Sequence, residues 1–376
     1  MHVSRRNFLR TMGIGAAVAA PWPLTSKSLA AFEPTREKHP GGPILLNSNE
    51  NAYGPPPKAA AVMRSALAYA NRYPYMDYDG LAARIASFHR VKPEQVLLGC
   101  GSTEILRMAA MAFLESGKQM VEASPTFEAL GQYARSIGAG VVSVPLDQMF
   151  AHDLEAMLNR VASSTTLVYL CNPNNPTGSI TPRKDLETFI SKLPTTCHVL
   201  MDEAYHHFAG ASMYASFIDH PVNDERMIVA RTFSKIYGMA GLRLGYAIAA
   251  PAVVQRMGAF ATFDSINAIV DRAATAALDD TASTQAAIKR NADDRQEFFN
   301  QAISRMLRPI DSHANFVMMN THHPVQEVIE HFRQHNILIG RRFPPMDTYI
   351  RVSLGTPSEM RAFWRVWDLL PFARMH

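Results

Sequence analysis

The chain has 376 residues, enough for two domains or for one large domain with a subsidiary lobe, and its 47% hydrophobic content supports a substantial core. The formal charge of +4 comes from the N-terminus: residues 1–30 hold Arg5, Arg6, Arg10 and Lys27 and no acidic side chain, and beyond them 33 basic residues balance 33 acidic ones. That balance gives no electrostatic footprint for nucleic acid, and no run reaches the roughly 18 apolar residues of a membrane helix.

Residues 1–30 carry the pattern of a twin-arginine signal peptide. Ser4-Arg5-Arg6-Asn7-Phe8-Leu9-Arg10 is followed by an apolar stretch over 12–20, and Ser28 and Ala30 provide small residues before a cleavage at Ala31. The expectation is export through the twin-arginine pathway to the periplasm. That route carries folded proteins and would suit an enzyme that takes up its cofactor first.

An N-terminal arm over 31–57 follows, irregular by its prolines and glycines until Ile44-Leu45-Leu46 and a polar loop from Asn47. Helical periodicity covers 58–69 and 80–89. From 96 onward strands and helices alternate: strands at 96–98, 120–122, 141–144, 167–171, 199–201, 228–232 and 244–249, helices opening at Ser102 and over 125–136. Repeated units of this kind predict an α/β fold, a mainly parallel sheet sandwiched by helices. Beyond Pro251 a long helical region runs to about 306 with a break at Asp280-Thr281. Short strands at 316–319, 337–339 and 349–353 surround an amphipathic helix over 324–335, and a last helix spans 358–370. This predicts a large domain over 58–260 and a smaller α+β domain over 261–376.

Three strand exits carry the chemistry. Met227-Ile228-Val229-Ala230-Arg231-Thr232-Phe233 leads into Ser234-Lys235, and Arg243 lies eight positions past the lysine. Lysine condenses with aldehydes to a Schiff base and shifts its pKa readily on burial. Hydroxyls of Thr232 and Ser234 with Arg243 would hold a phosphate, so the pattern points to a phosphorylated aldehyde, pyridoxal 5'-phosphate. The second exit carries Asn172-Pro173-Asn174-Asn175-Pro176-Thr177-Gly178 and the third Asp202-Glu203-Ala204-Tyr205. Ligands of open α/β sheets bind beyond the carboxyl ends of the strands. Gly101-Ser102-Thr103-Glu104 also begins a helix after a strand, and its free backbone N–H groups suit an anion; taken alone it is an ordinary helix cap.

In combination these motifs resemble the class I and II aminotransferases of fold type I, and within them the histidinol-phosphate aminotransferase-like group, over nearly all of the chain after residue 40. The resemblance implies that Lys235 anchors the cofactor and then moves a proton, and that Asp202 keeps the pyridine nitrogen protonated. It implies hydrogen bonds from Tyr205 and Asn175 to the ring oxygen, and a phosphate cradle of Ser102, Thr103, Thr232, Ser234 and Arg243. Phe127 stands where the family stacks an aromatic ring on the pyridine. Tyr53 matches a tyrosine that reaches the neighbouring subunit's phosphate, which implies a homodimer with shared sites. Arg351 matches the arginine that takes a substrate carboxylate or phosphate through two hydrogen bonds.

The family's Gly-Ile-x-Val-Arg pattern is not kept. The chain reads Asn336-Ile337-Leu338-Ile339-Gly340, with Arg341 and Arg342 one and two places late. A shift of one residue on a strand turns a side chain to the other face, so either a bulge restores Arg341 or a different group is recognised. Export, moreover, fits poorly with histidine synthesis, which is cytoplasmic. The favoured expectation is therefore an aminotransferase acting between an amino acid, aromatic or otherwise bulky, and a 2-oxo acid. The alternatives are a histidinol-phosphate aminotransferase, a decarboxylase, lyase or racemase using the same lysine, and a non-catalytic receptor of this fold. Cys100, Cys171 and Cys197 are too few and too odd in number for a disulfide framework and read as small buried residues. His206 and His207, adjacent and read on a strand, would face opposite ways, and no metal-binding constellation is expected.

Overall fold

The computed structural model describes residues 42–74, 78–210, 214–219 and 224–371. The proposed signal at 1–30 and the arm before Gly42 lie outside the described residues.

Seven strands form the main sheet: β2 (Val96–Gly99), β3 (Gln119–Ser124), β4 (Gly140–Pro145), β5 (Thr165–Cys171), β6 (His198–Asp202), β7 (Met227–Thr232) and β8 (Gly245–Ala249). Their spatial order is β2-β8-β7-β6-β5-β3-β4. Only β8 runs against the rest, pairing antiparallel with β2 and β7. Successive side chains of a strand point to opposite faces, and here both faces are apolar. Val121, Val168, Leu170, Val199, Met201 and Val229 enter one core, while Met120, Leu167, Tyr169, Leu200, Ile228 and Ala230 enter the other. Near-continuous apolar strands of this kind are what a parallel sheet covered on both sides requires.

The first core is closed by α1 (Pro57–Ala66), α2 (Tyr78–His89), α6 (Arg183–Lys192) and α8 (Ala268–Asp279), through residues such as Ala59, Ile85, Phe189 and Ala274. The second is closed by α3 (Ser102–Phe113), α4 (Ala129–Ser136) and α7 (Pro251–Gly258), through Ile105, Leu130 and Val253. The short α5 (Leu154–Leu158) precedes β5. Neither α5 nor α6 was anticipated from the sequence.

The smaller lobe holds the rest. An antiparallel pair, β9 (Phe316–Asn320) with β11 (Tyr349–Ser353), and a parallel pair, β1 (Ile44–Leu46) with β10 (Ile337–Ile339), pack against α9 (Thr281–Ile303), α10 (Val325–Gln334) and α11 (Pro357–Trp367). Its core includes Leu46, Phe298, Val317, Phe332, Ile350, Phe363 and Trp367. Two elements cross the expected division at 260/261. Strand β1, from the N-terminal arm, belongs with the small lobe's strands, and α8 buries Val270, Ala273 and Ala277 in the large core.

Three local expectations change. The helix expected over 125–136 starts only at Ala129, because the Asn174 side chain bonds the Pro125 carbonyl (3.1 Å) and the Thr126 hydroxyl (2.9 Å) and holds the preceding turn. The helical region after Pro251 breaks at Asp280 as expected, where Asp280 caps α9 by accepting from the Ser283 N–H at 3.3 Å, but it is also interrupted at 259–267. His206 and His207 lie in a 3₁₀ turn (His206–Phe208), not on a strand, and their rings sit 3.9 Å apart instead of facing opposite ways.

Candidate active site

The carboxyl ends of β2, β5, β6 and β7 open on a cavity of about 320 Å³. Ser102, Thr103, Phe127, Asn175, Asp202, Tyr205, Thr232, Ser234, Lys235, Arg243, Arg341 and Arg351 all line it. Of the described residues expected to hold the cofactor or substrate, Tyr53 alone does not. Its ring is 37% exposed and its hydroxyl donates to Asp294 at 2.9 Å.

At the floor, Asp202 is the last residue of β6 and is 2% exposed. Its carboxylate accepts from the Tyr169 hydroxyl (2.9 Å) and the Ala204 N–H (3.0 Å). Burial pushes its pKa up to about 6, against the pull of those two donors. Lys235, three residues past the end of β7, donates to the carbonyls of Ser48 (3.3 Å) and Asn49 (3.1 Å) and lies 5.5 Å from the Tyr205 ring centre. Loss of hydration, followed by the charge of Arg351, lowers its pKa to about 8. Tyr205 is buried, its hydroxyl accepts from the Asn49 amide at 3.0 Å, and burial raises its pKa.

One end of the cavity is built to receive an anion. Gly101, at φ +75°, precedes α3, and a Cβ there would meet Arg243 Nη2 at 2.1 Å. A Cβ on Gly245 would meet the Ser102 nitrogen at 2.2 Å. Both glycines let the helix start, β8 and the guanidinium close on one point. Arg243 itself is left-handed (φ 58°) and donates to Ala240 O (2.9 Å), Thr103 Oγ1 (3.1 Å) and Ser234 Oγ (3.4 Å). Thr232 accepts from the Ser234 N–H at 3.1 Å. The α3 N-terminus has no side-chain cap, so its free N–H groups face this end.

At the other end, Arg351 on β11 is 7% exposed. It donates to Asn175 Oδ1 (2.6 Å) and the Asn47 carbonyl (2.7 Å), and its Nε is buried without a partner. The Phe343 ring lies 4.6 Å beneath it. Burial lowers its pKa to about 10. The register question is settled by where β10 stops. The strand ends at Ile339, and Gly340 donates to the Arg351 carbonyl at 2.8 Å. A Cβ at Gly340 would meet that same oxygen at 2.7 Å, so no arginine fits there without backbone movement. Beyond the strand the alternation of faces lapses. Arg341 lines the cavity and pairs with Glu128, while Arg342 turns away to Asp347 at 2.7 Å.

Some contributors were missed. Asn49 (φ 54°) bonds Tyr205, offers its carbonyl to Lys235, and is tied to the small lobe through its N–H to Ser353 Oγ at 2.8 Å. The run Asn47-Ser48-Asn49-Glu50 was legible only as a polar loop. Tyr169, within the apolar run 167–171 of β5, was passed over, although a buried tyrosine hydroxyl calls for a partner.

The arrangement fits pyridoxal phosphate. Among the described residues, the buried Asp202 carboxylate has no cation in hydrogen-bond range and the Arg351 Nε has no partner; an amine of lowered basicity stands over the same floor, and a glycine cradle converges on an anion site. The comparisons agree. The family described as "Aminotransferase class I and II" matches residues 42–366. Histidinol-phosphate aminotransferase of Moorella thermoacetica is 33% identical over 329 residues, 86% of this chain and 84% of the relative. That of Symbiobacterium thermophilum is 35% identical over 327 residues, 85% and 88% of the two chains. The crystal structure of histidinol-phosphate aminotransferase from Sinorhizobium meliloti in complex with pyridoxal-5'-phosphate superposes with a TM-score of 0.82 at 25% identity, covering 93% of this chain and 99% of the other. These relatives overturn the expectation of export to the periplasm: they are named for a step of histidine synthesis, which is cytoplasmic.

Proposed function

The chain belongs to the class I and II aminotransferase family, and from that membership we propose the roles of its site residues and the nature of its donor. It is a pyridoxal-phosphate-dependent enzyme that moves an amino group between an amine and a 2-oxo acid. When bound, the cofactor supplies an aldehyde for reversible condensation with amines and a ring that withdraws electrons from the substrate carbon.

Lys235 would anchor that aldehyde and, as a free amine, hold and move the proton at the substrate's α-carbon; a pKa of about 8 leaves a useful fraction as free amine near neutral pH. Asp202 would hold a proton at the pyridine nitrogen, a cation that would compensate its burial. Tyr205 and Asn175 would hold the ring oxygen, and Phe127 would pack against the ring. Ser102, Thr103, Thr232, Ser234 and Arg243 take the phosphate. Arg351 exchanges its bonds to Asn175 and the Asn47 carbonyl for a substrate carboxylate or phosphate. We also propose a homodimer in which the exposed Tyr53 leaves Asp294 to complete the partner's phosphate site, and a small domain that comprises β1 and the chain from α9 onward.

The observation that carries this reading is that Lys235 and Asp202 open on one cavity between two arginines, Arg243 and Arg351. Histidinol phosphate is the donor we put first, supported by the relatives' names and by Arg341 at the cavity mouth. Gly340 at the place of the family's arginine, and Glu128 already engaging Arg341, favour a second reading, an aromatic or other bulky amino acid. A panel of donors against 2-oxoglutarate and pyruvate tests both. Histidinol phosphate should exceed every amino acid in kcat/KM; turnover confined to aromatic amino acids would select the second reading. Release of carbon dioxide without a keto acid would sink both.

A further inference from the structure

Four cations line the cavity: Lys235, Arg243, Arg351 and Arg341. The first three serve the cofactor and the substrate's main anionic group under the function proposed above, and this inference rests on that proposal. Arg341 differs from them in being engaged already by an acidic side chain, Glu128. It sits where the small lobe meets the entrance, half-exposed, with its guanidinium 4.2 Å from the Phe343 ring that also supports Arg351. Its partner, Glu128, comes from the large domain. Glu128 is the N-cap residue of α4, yet its side chain makes no capping bond and reaches Arg341 instead. The ion pair therefore joins the two lobes across the mouth of the site.

We propose that Glu128 is a specificity-determining residue, an internal counter-ion that a substrate's side-chain anion must displace to reach Arg341. A 2-oxo acid or amine whose side chain ends in a carboxylate or phosphate competes with Glu128 for one guanidinium. A substrate without such a group leaves the pair intact. Partly exposed ion pairs contribute little, so the exchange is cheap and reversible. That suits a site which must accept two substrates of different charge in alternation. The rigid placement of Gly340 against the Arg351 carbonyl prevents a fixed arginine at the strand end, and the pair at 341 and 128 stands in as an adjustable one.

The test is the acceptor selectivity of the holoenzyme, the kcat/KM for 2-oxoglutarate divided by that for pyruvate. Both acceptors share the 2-oxo acid group, so the ratio isolates the side-chain anion, and wild-type turnover of pyruvate checks the underlying aminotransferase function independently. Glu128→Gln should raise the ratio about fivefold, through KM. Arg341→Gln should lower it by at least as much. In the double variant the ratio should equal that of Arg341→Gln alone, which a general loosening of the entrance would not produce. A ratio that stays level or falls in Glu128→Gln, or that rises to the same extent without Arg341, overturns the proposal.

Discussion

Asp202 and Glu203 are consecutive buried carboxylates at the end of one strand, and they are treated in opposite ways. Glu203 is surrounded by donors: the Tyr214 hydroxyl (2.7 Å), the Ser216 hydroxyl (2.7 Å), the Phe217 N–H (2.8 Å) and Arg231, whose Nε lies 2.8 Å away. Arg231 is itself buried and also bonds Ser216 at 2.7 Å and the His206 ring. Asp202 has two neutral donors and an open cavity. One carboxylate is satisfied by the fold, and the other faces the cavity that the fold leaves open. A buried charge with all its partners specifies structure, whereas one left short of a cation marks a function.

The sharpest way to break this contrast lies on the functional side. Lys235→Ala should lower turnover by about 10⁴-fold and abolish borohydride trapping of the cofactor, while the unfolding midpoint in urea stays close to wild type. Asp202→Ala should keep some cofactor yet lose most activity. Full activity in either variant would remove the site from the catalytic account. On the structural side, Glu203→Gln leaves the Arg231 guanidinium buried without its counter-charge, and stability should fall by about 3–5 kcal/mol in urea unfolding. If Glu203→Gln unfolds like wild type, the paired carboxylate is not the structural member of the two.

The contrast also explains how much could be read beforehand. Lys235, Asp202, Tyr205 and Arg243 stand in short motifs at strand exits, where neighbours in sequence are neighbours in space, and they were legible. The parallel sheet was legible because its apolar strands recur with helices between them. Asn49 was not: its role depends on Ser353 and Tyr205, 304 and 156 residues away, and nothing in a run of asparagines and serines announces such partners. The same holds for Glu128, whose partner Arg341 is brought near by the docking of two lobes. The turn at 125–128 misled for a related reason, since Asn174 overrides a helical pattern from outside it.

A smaller effect tests the state of Asp202 itself. Its folded pKa of about 6 exceeds the ordinary carboxyl value of 3.8. A raised pKa contributes stability that is fully present below pH 3.8 and is lost as pH rises through about 6. In cofactor-free protein, wild type should therefore lose roughly 3 kcal/mol relative to Asp202→Asn between pH 3.8 and pH 7. Saturating pyridoxal phosphate should erase most of that difference, because a protonated ring nitrogen favours the charged carboxylate. Parallel curves for the two cofactor-free proteins would mean that Asp202 is already compensated by the fold, as Glu203 is.

The least disruptive probe is Tyr169→Phe, which deletes one hydroxyl and keeps the ring packed in the second core. That hydroxyl donates to Asp202 at 2.9 Å and lowers its pKa, so without it the carboxylate holds its proton more tightly and draws less on the pyridine nitrogen. A hydrogen bond to a charged group contributes about 1.5–3 kcal/mol, and part of this is recovered when water or the cofactor takes its place. Cofactor affinity, followed by absorbance during titration, should weaken about tenfold. Unchanged affinity would show that Tyr169 serves Asp202 only as filling, and that the Ala204 N–H and the ring suffice to set its charge.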